Sequence, residues 1–140
     1  MSERIVFKQN HQFQVEHYAS EPREPDSDAV HRVQGLHEVT PYGMMLFSLA
    51  SCTAQVVLSY AEHHQISLRE VEFDVSYERV FAEDCDNCEE IDHYQEKIQE
   101  LITLRGEITP EQREKLYRIA HQCPIHKMYE DGIVIDSSLS

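Results

Sequence analysis

The sequence predicts an α+β fold, with antiparallel sheets packed around one long buried helix. Three observations predict it. Residues 40–64 (TPYGMMLFSLASCTAQVVLSYAEHH) read as a helix that is apolar on nearly every face. Residues 71–77 alternate strictly, with Val71, Phe73, Val75 and Tyr77 on one side and polar residues on the other, which is the signature of a strand. Residues 109–123 form a second helix with clear start and stop signals. The resulting order, β-β-(β)-α-β-β-α-β, segregates helices against antiparallel strands. The 140 residues suit one domain, 1–140, with a core of its own.

Each element has a local reason. Residues 4–8 and 12–18 alternate apolar and polar side chains and read as a hairpin turning at residues 9–11. Residues 20–28 (SEPREPDSD) form an extended loop, because Pro22 and Pro25 oppose both helix and central strand. Residues 29–39 read as a short strand or an irregular lead-in. Thr40 suits the N-cap of the long helix, since its hydroxyl can accept a backbone N–H that the first turn leaves unpaired. Pro41 suits the next position, where no N–H is needed. Met45, Leu49, Cys52, Val56 and Tyr60 recur at steps of three or four as one stripe, and Met44, Leu46, Phe47, Val57 and Leu58 make the other faces apolar. Such a helix lies in a core or an interface.

After a turn at residues 65–69 come the strand 71–77 and a polar, acidic excursion, residues 83–92 (EDCDNCEEID). Residues 97–106 read as a second strand, with Ile98, Ile102 and Leu104 on one face, pairing antiparallel with the first. Thr109 and Gln112 form a capping box around Pro110. Leu116, Ile119, Ala120 and Cys123 share a stripe, and Pro124 closes the helix. The Asp131-Gly132 turn leads into a short last strand, residues 133–135.

Charge and composition narrow the function. Lys and Arg number 12 against 26 Asp and Glu, a net −14. Nucleic acid is therefore not an expected partner, because binding it rests on neutralising phosphates with basic side chains. No membrane span is expected either: Ser48, Ser51, Thr53, Gln55 and Ser59 interrupt the long helix, and a bilayer needs about 20 apolar residues. No basic N-terminus precedes an apolar stretch, so no signal peptide is expected, and a cytoplasmic, reducing location is. G-x-S-x-G, Walker and G-x-G-x-x-G patterns are missing, which leaves hydrolase, NTPase and dinucleotide readings without support.

The 4 cysteines carry the chemistry. Cys52 and Cys123 each sit on the apolar stripe of a helix. They are either buried small hydrophobes or, where the stripes pack together, a pair of thiols that meet. Cys85 and Cys88 form a C-x2-C in the acidic excursion, with His93 five residues on. That spacing suits a zinc knuckle or a redox pair, and Cys85, Cys88 and His93 are the candidate metal ligands. The alternative is a solvated loop. His126, three residues past Cys123, is placed to tune that thiol or to hold the turn.

Two motifs point to a family. Pro41 followed at Cys52-Thr53 by "SCT" in a long apolar helix, then ITPEQREKLYRIAHQCPIHK with its "CPIH", resembles the OsmC/Ohr family of thiol peroxidases. The resemblance covers most of residues 40–139. It implies an OsmC-like intertwined homodimer with two sites at the subunit interface, and a reductase for hydroperoxides, organic ones above all. By matching position, Cys52 is the peroxidatic residue and Cys123 the resolving one. The resemblance implies no required cofactor and an external dithiol as reductant, with zinc as the candidate metal of the excursion, which looks like an insertion. Met45, Phe47 and Leu49 are the candidate lining of an apolar substrate pocket.

The sequence departs from the family at one place. Family enzymes carry a Glu one or two residues after the Pro that starts the central helix, where it orients an Arg that lowers the thiol pKa. Here Tyr42 and Gly43 stand there. Arg23 and Arg32 are the candidate cations, and Glu38 is the candidate replacement carboxylate. A cysteine at the C-terminal end of a helix, as Cys123 reads, gets no help as a thiolate, because the dipole is negative there. The competing reading is a non-catalytic OsmC-like protein that binds a small ligand or senses oxidation.

Overall fold

A computed structural model describes residues 2–24, 29–81 and 94–140. Along the chain run β1 (Ser2–Asn10), β2 (Val15–Ser20), β3 (Val30–Arg32), a 3-10 turn (Leu36–Glu38), α1 (Pro41–His63), β4 (Leu68–Phe81), β5 (Tyr94–Gly106), α2 (Pro110–Ala120) and α3 (Pro124–Asp131). The described strands form one antiparallel sheet in the order β3-β2-β1-β4-β5. Among the described residues the strands make a single sheet, with α1 on one face and α2 and α3 packed against α1.

Alternation builds the inner face of the sheet. Ile5, Phe7 and Gln9 on β1 lie opposite Val75, Phe73 and Val71 on β4, and those lie opposite Glu100, Ile102 and Leu104 on β5. All but Glu100 and Ile102 are buried. Against this face α1 lays Leu46, Ala50, Ala54, Val57 and Ala61, each 3% exposed or less. The alanines let helix and sheet approach closely. On the other side α2 contributes Leu116 and Ala120 to the same core. The helix is apolar all round because it is covered from both sides. Its length and composition would also cross a membrane, but its burial against the strands is that of a core helix. The stripe Met45–Leu49–Cys52–Val56–Tyr60 is the side turned toward α2 and α3. Only Leu49 of it is fully buried, and Lys115 of α2 lies over the Tyr60 ring at 5.9 Å.

The expected caps are present. Thr40 Oγ1 accepts the Gly43 N–H at 2.9 Å. At α2, Thr109 Oγ1 accepts the Gln112 N–H at 3.1 Å, and the Gln112 side chain accepts the Thr109 N–H at 2.9 Å. The outer face of the sheet is tied by charge instead, with the Arg4 guanidinium donating twice to Asp74 at 2.9 Å.

Three local expectations need correction. The first hairpin turns at residues 11–14, because the Asn10 carboxamide oxygen accepts both the Gln12 and Gln14 N–H groups at 3.0 Å and β1 runs on to that residue. The helix expected over 109–123 ends at Ala120, and Pro124 opens a third helix instead of only closing the second. A proline is as suited to the first turn of one helix as to the end of another. The last strand at residues 133–135 does not form in the single chain. Gly132 ends α3 at φ 84°, and Ile133, Val134 and Ile135 are 67%, 88% and 80% exposed, apart from both sheet edges. Strand propensity needs a partner strand to act on. Residues 29–39 resolve into β3 and the 3-10 turn. The excursion 83–92 lies outside the described residues.

Candidate functional site

The third helix brings the two cysteines together. Cys123 is the N-cap of α3 and is 1% exposed. Cys52, half-buried, sits on the α1 stripe that faces it. Both are free thiols, and Cys123 is among the groups near enough to act on Cys52. Burial pushes the Cys52 thiol up, the hydrogen bond with Cys123 adds to it, and the backbone N–H of Ile125 pulls the other way. Ile125 lies in the first turn of α3. The dipole end that faces the thiol pair is therefore the positive one, which corrects the expectation that Cys123 lies at a helix C-terminus.

A cavity of about 510 Å³ opens between α1, β5 and α3, lined by residues one turn before Cys52 and three past Cys123 but by neither cysteine. Met45 and Leu49 line it from α1, and Leu49 precedes Cys52 by one turn. His126 and Met128 line it from α3, and Ile98 and Glu100 from β5. Phe47 does not take part. It packs edge-on against His17 with ring centroids 5.4 Å apart, on the core side of α1. Tyr129 fastens α3 to α1, with its hydroxyl donating to the Met45 carbonyl at 3.0 Å and meeting Ser48 Oγ at 2.7 Å.

The start of α1 carries a polar network at the far end of the cavity. Tyr42, where family enzymes have the carboxylate, stacks on Tyr77 at 4.8 Å. Its hydroxyl accepts from Arg79 at 3.0 Å. Arg79 lies 3.7 Å from Glu96, which also accepts the Tyr77 hydroxyl at 2.8 Å. Burial, and next the bond to Glu96, hold the Tyr77 phenol above its ordinary value. An arginine does approach the helix start, but it is Arg79. Arg32 is exposed on β3, at the sheet edge opposite β5, and Arg23 is exposed in the loop before it. Neither is among the groups that act on Cys52. Glu38 closes its own turn, accepting the Gln34 and Gly35 N–H groups at 2.6 and 3.1 Å, and those bonds lower its pKa.

Arg79, Glu96 and Glu100 were missed in the sequence although a signal existed. Extending the alternation Val71-Phe73-Val75-Tyr77 by one step reaches Arg79. On β5 the inward positions run Glu96, Ile98, Glu100, Ile102 and Leu104, two carboxylates on an otherwise apolar face. Burial raises the Glu100 carboxyl, while His126 and His121 nearby act to lower it. His126 Nε2 meets Glu130 at 2.8 Å across one turn of α3. Cys85, Cys88 and His93 lie outside the described residues, and among the described residues no group of three His, Cys, Asp or Glu side chains converges on a common point.

Comparison with known proteins gives this arrangement a context. Residues 34–138 match the family model described as OsmC-like protein. The fold is similar to the crystal structure of an OsmC-like hydroperoxide resistance protein from Jannaschia sp. CCS1, with a TM-score of 0.61 and 12% identity over 99% of this chain and 93% of that one. No curated protein matches the sequence. The matched stretch holds α1, β4, β5 and both later helices, with Cys52 and Cys123 among them, and on that match the chain belongs to the OsmC-like protein family.

Proposed function

We propose that the protein is a thiol-dependent peroxidase that reduces organic hydroperoxides through Cys52 and Cys123. The observation that carries this reading is the approach of the two thiols, delivered by different helices, with Leu49 one turn before Cys52 and His126 three residues past Cys123 lining a neighbouring cavity. In the reaction the Cys52 thiolate attacks the terminal peroxide oxygen and becomes a sulfenic acid, releasing the alcohol. The Cys123 thiol displaces water from that sulfenic acid to give a disulfide. A dithiol then restores both thiols by exchange. Met45, Leu49, Ile98 and Met128 offer the apolar surface that an alkyl or aryl group would occupy. A homodimer is part of the reading, and the exposed Ile133, Val134 and Ile135 are the surface it would cover.

The test is a thiol count on the reduced chain before and after one equivalent of cumene hydroperoxide, with a peptide map of any disulfide formed. The expected result is the rapid loss of two thiols as a Cys52–Cys123 disulfide, and no such product from Cys52→Ser. A disulfide mapped to Cys85–Cys88 would move the chemistry to the acidic excursion. One observation favours the non-catalytic reading: burial holds the Cys52 thiol above its ordinary value. A ligand-binding or sensing protein predicts slow oxidation, no turnover with an ordinary dithiol, and thermal stabilisation by an apolar ligand.

A further inference from the structure

We propose that Glu100 is the proton donor to the alkoxide that leaves when Cys52 takes the terminal oxygen of an alkyl hydroperoxide. The proposal rests on the peroxidase reading above and adds a second reacting residue to it. Leu49, one turn before Cys52, and His126, three residues past Cys123, line the cavity, so an alkyl hydroperoxide whose terminal oxygen met Cys52 would have it as the nearest room for the second oxygen and the alkyl group. Three carboxyl groups line that cavity, and two are engaged. Glu96 accepts the Tyr77 hydroxyl at 2.8 Å and pairs with Arg79. Glu130 meets His126 at 2.8 Å and is exposed. Glu100 is different. Its Oε1 is shut off from water and has no hydrogen-bond partner among the described residues.

A buried carboxyl oxygen without a donor is costly as a carboxylate, because the charge it carries is left uncompensated. Burial pulls the Glu100 carboxyl up, toward the form that holds its proton. A neutral carboxyl in an apolar pocket is a hydrogen-bond and proton donor, and it is most useful where a strongly basic oxygen appears in the transition state. The alkoxide is such an oxygen. In the step, a sulfur–oxygen bond forms at Cys52 and the oxygen–oxygen bond breaks. Sulfur loses two electrons and the peroxide gains them. The Glu100 proton passes to the leaving oxygen, giving the neutral alcohol and a carboxylate, which takes a proton back from water. His126 and His121 face Glu100 from α3 and from the turn before it, and a positive charge on either would steady that carboxylate.

The test compares two oxidants that differ in the leaving group. tert-Butyl hydroperoxide expels an alkoxide, which needs the proton. Peracetic acid expels a carboxylate, which does not. Single-turnover rates of Cys52 oxidation are measured for the reduced wild-type chain, Glu100→Gln and Glu100→Asp. The expected result is that Glu100→Gln slows the alkyl hydroperoxide by about 100-fold or more relative to peracetic acid, and that Glu100→Asp recovers part of the difference. Equal slowing with both oxidants, or slowing with neither, overturns the proposal while leaving the peroxidase reading intact. A wild-type chain inert to both oxidants overturns the peroxidase reading and the proposal together.

Discussion

Glu100 shows at the scale of one residue how a strand position with ordinary alternation can hold an unusual group. It takes the inward slot opposite Val75, where an apolar side chain would add to the core. Its raised pKa, caused first by burial and opposed by His126 and His121, makes it a liability to the fold at neutral pH. The sign follows from linkage. A carboxyl whose folded pKa exceeds its unfolded one contributes fully below the unfolded value, and the contribution is lost as pH rises through the folded value. Glutamine is neutral throughout. Glu100→Gln is therefore expected to raise the melting temperature at neutral pH and to lose that advantage on the acid side of the ordinary glutamate range. Melting curves at the two pH values check it, and an advantage that does not change with pH would sink the argument. The sequence held the alternation that places this residue. It did not hold its partners, because what makes Glu100 distinctive is a missing donor in three dimensions.

At the scale of elements, most of the fold was legible. The long helix, its Thr40 cap, the strand around Phe73 and the capping box of Thr109 are written in local patterns of neighbouring residues, and each formed as those patterns dictate. What was not legible depends on contacts distant in sequence. Pro124 reads equally as an end and as a beginning, and only the docking of α3 on α1 through Tyr129 and Ser48 decides. That one ambiguity hid the helix N-terminus beside Cys52. A comparable long-range constraint lies at Gly106, where β5 ends against the start of β4. Its φ is 155°, and an added Cβ would sit 2.2 Å from the Ser67 carbonyl oxygen. Gly106→Ala is expected to destabilise the protein by more than about 1 kcal/mol, read from urea unfolding. A smaller effect would mean that the turn has room to relax.

For the whole molecule, the family was readable from two short motifs, because they carry Cys52, Cys123 and the helices that hold them. The polar network at the helix start was not, since Tyr42 and Arg79 are far apart in sequence and are joined only by folding. The same scale governs the apolar C-terminal segment. Ile133, Val134 and Ile135 have the composition of a strand and no strand beside them in one chain. Sedimentation of the reduced protein is expected to give a particle of twice the chain's mass, and removal of residues 133–140 to shift it toward the monomer. A monomeric intact protein would show that the segment has another use.

The placement of Cys123 at the start of α3, against the middle of α1, has a thermodynamic consequence. A bond between the two sulfurs would close a loop of roughly 70 residues, holding β4, β5 and α2 within it. Chain-entropy arguments give such a crosslink about 4 kcal/mol against unfolding. Each catalytic cycle would then alternate between a looser and a tighter molecule, with the reduced form the more easily unfolded. Melting temperature would report the redox state of the pair, and a reductant titration followed by heat would read the potential without any substrate present.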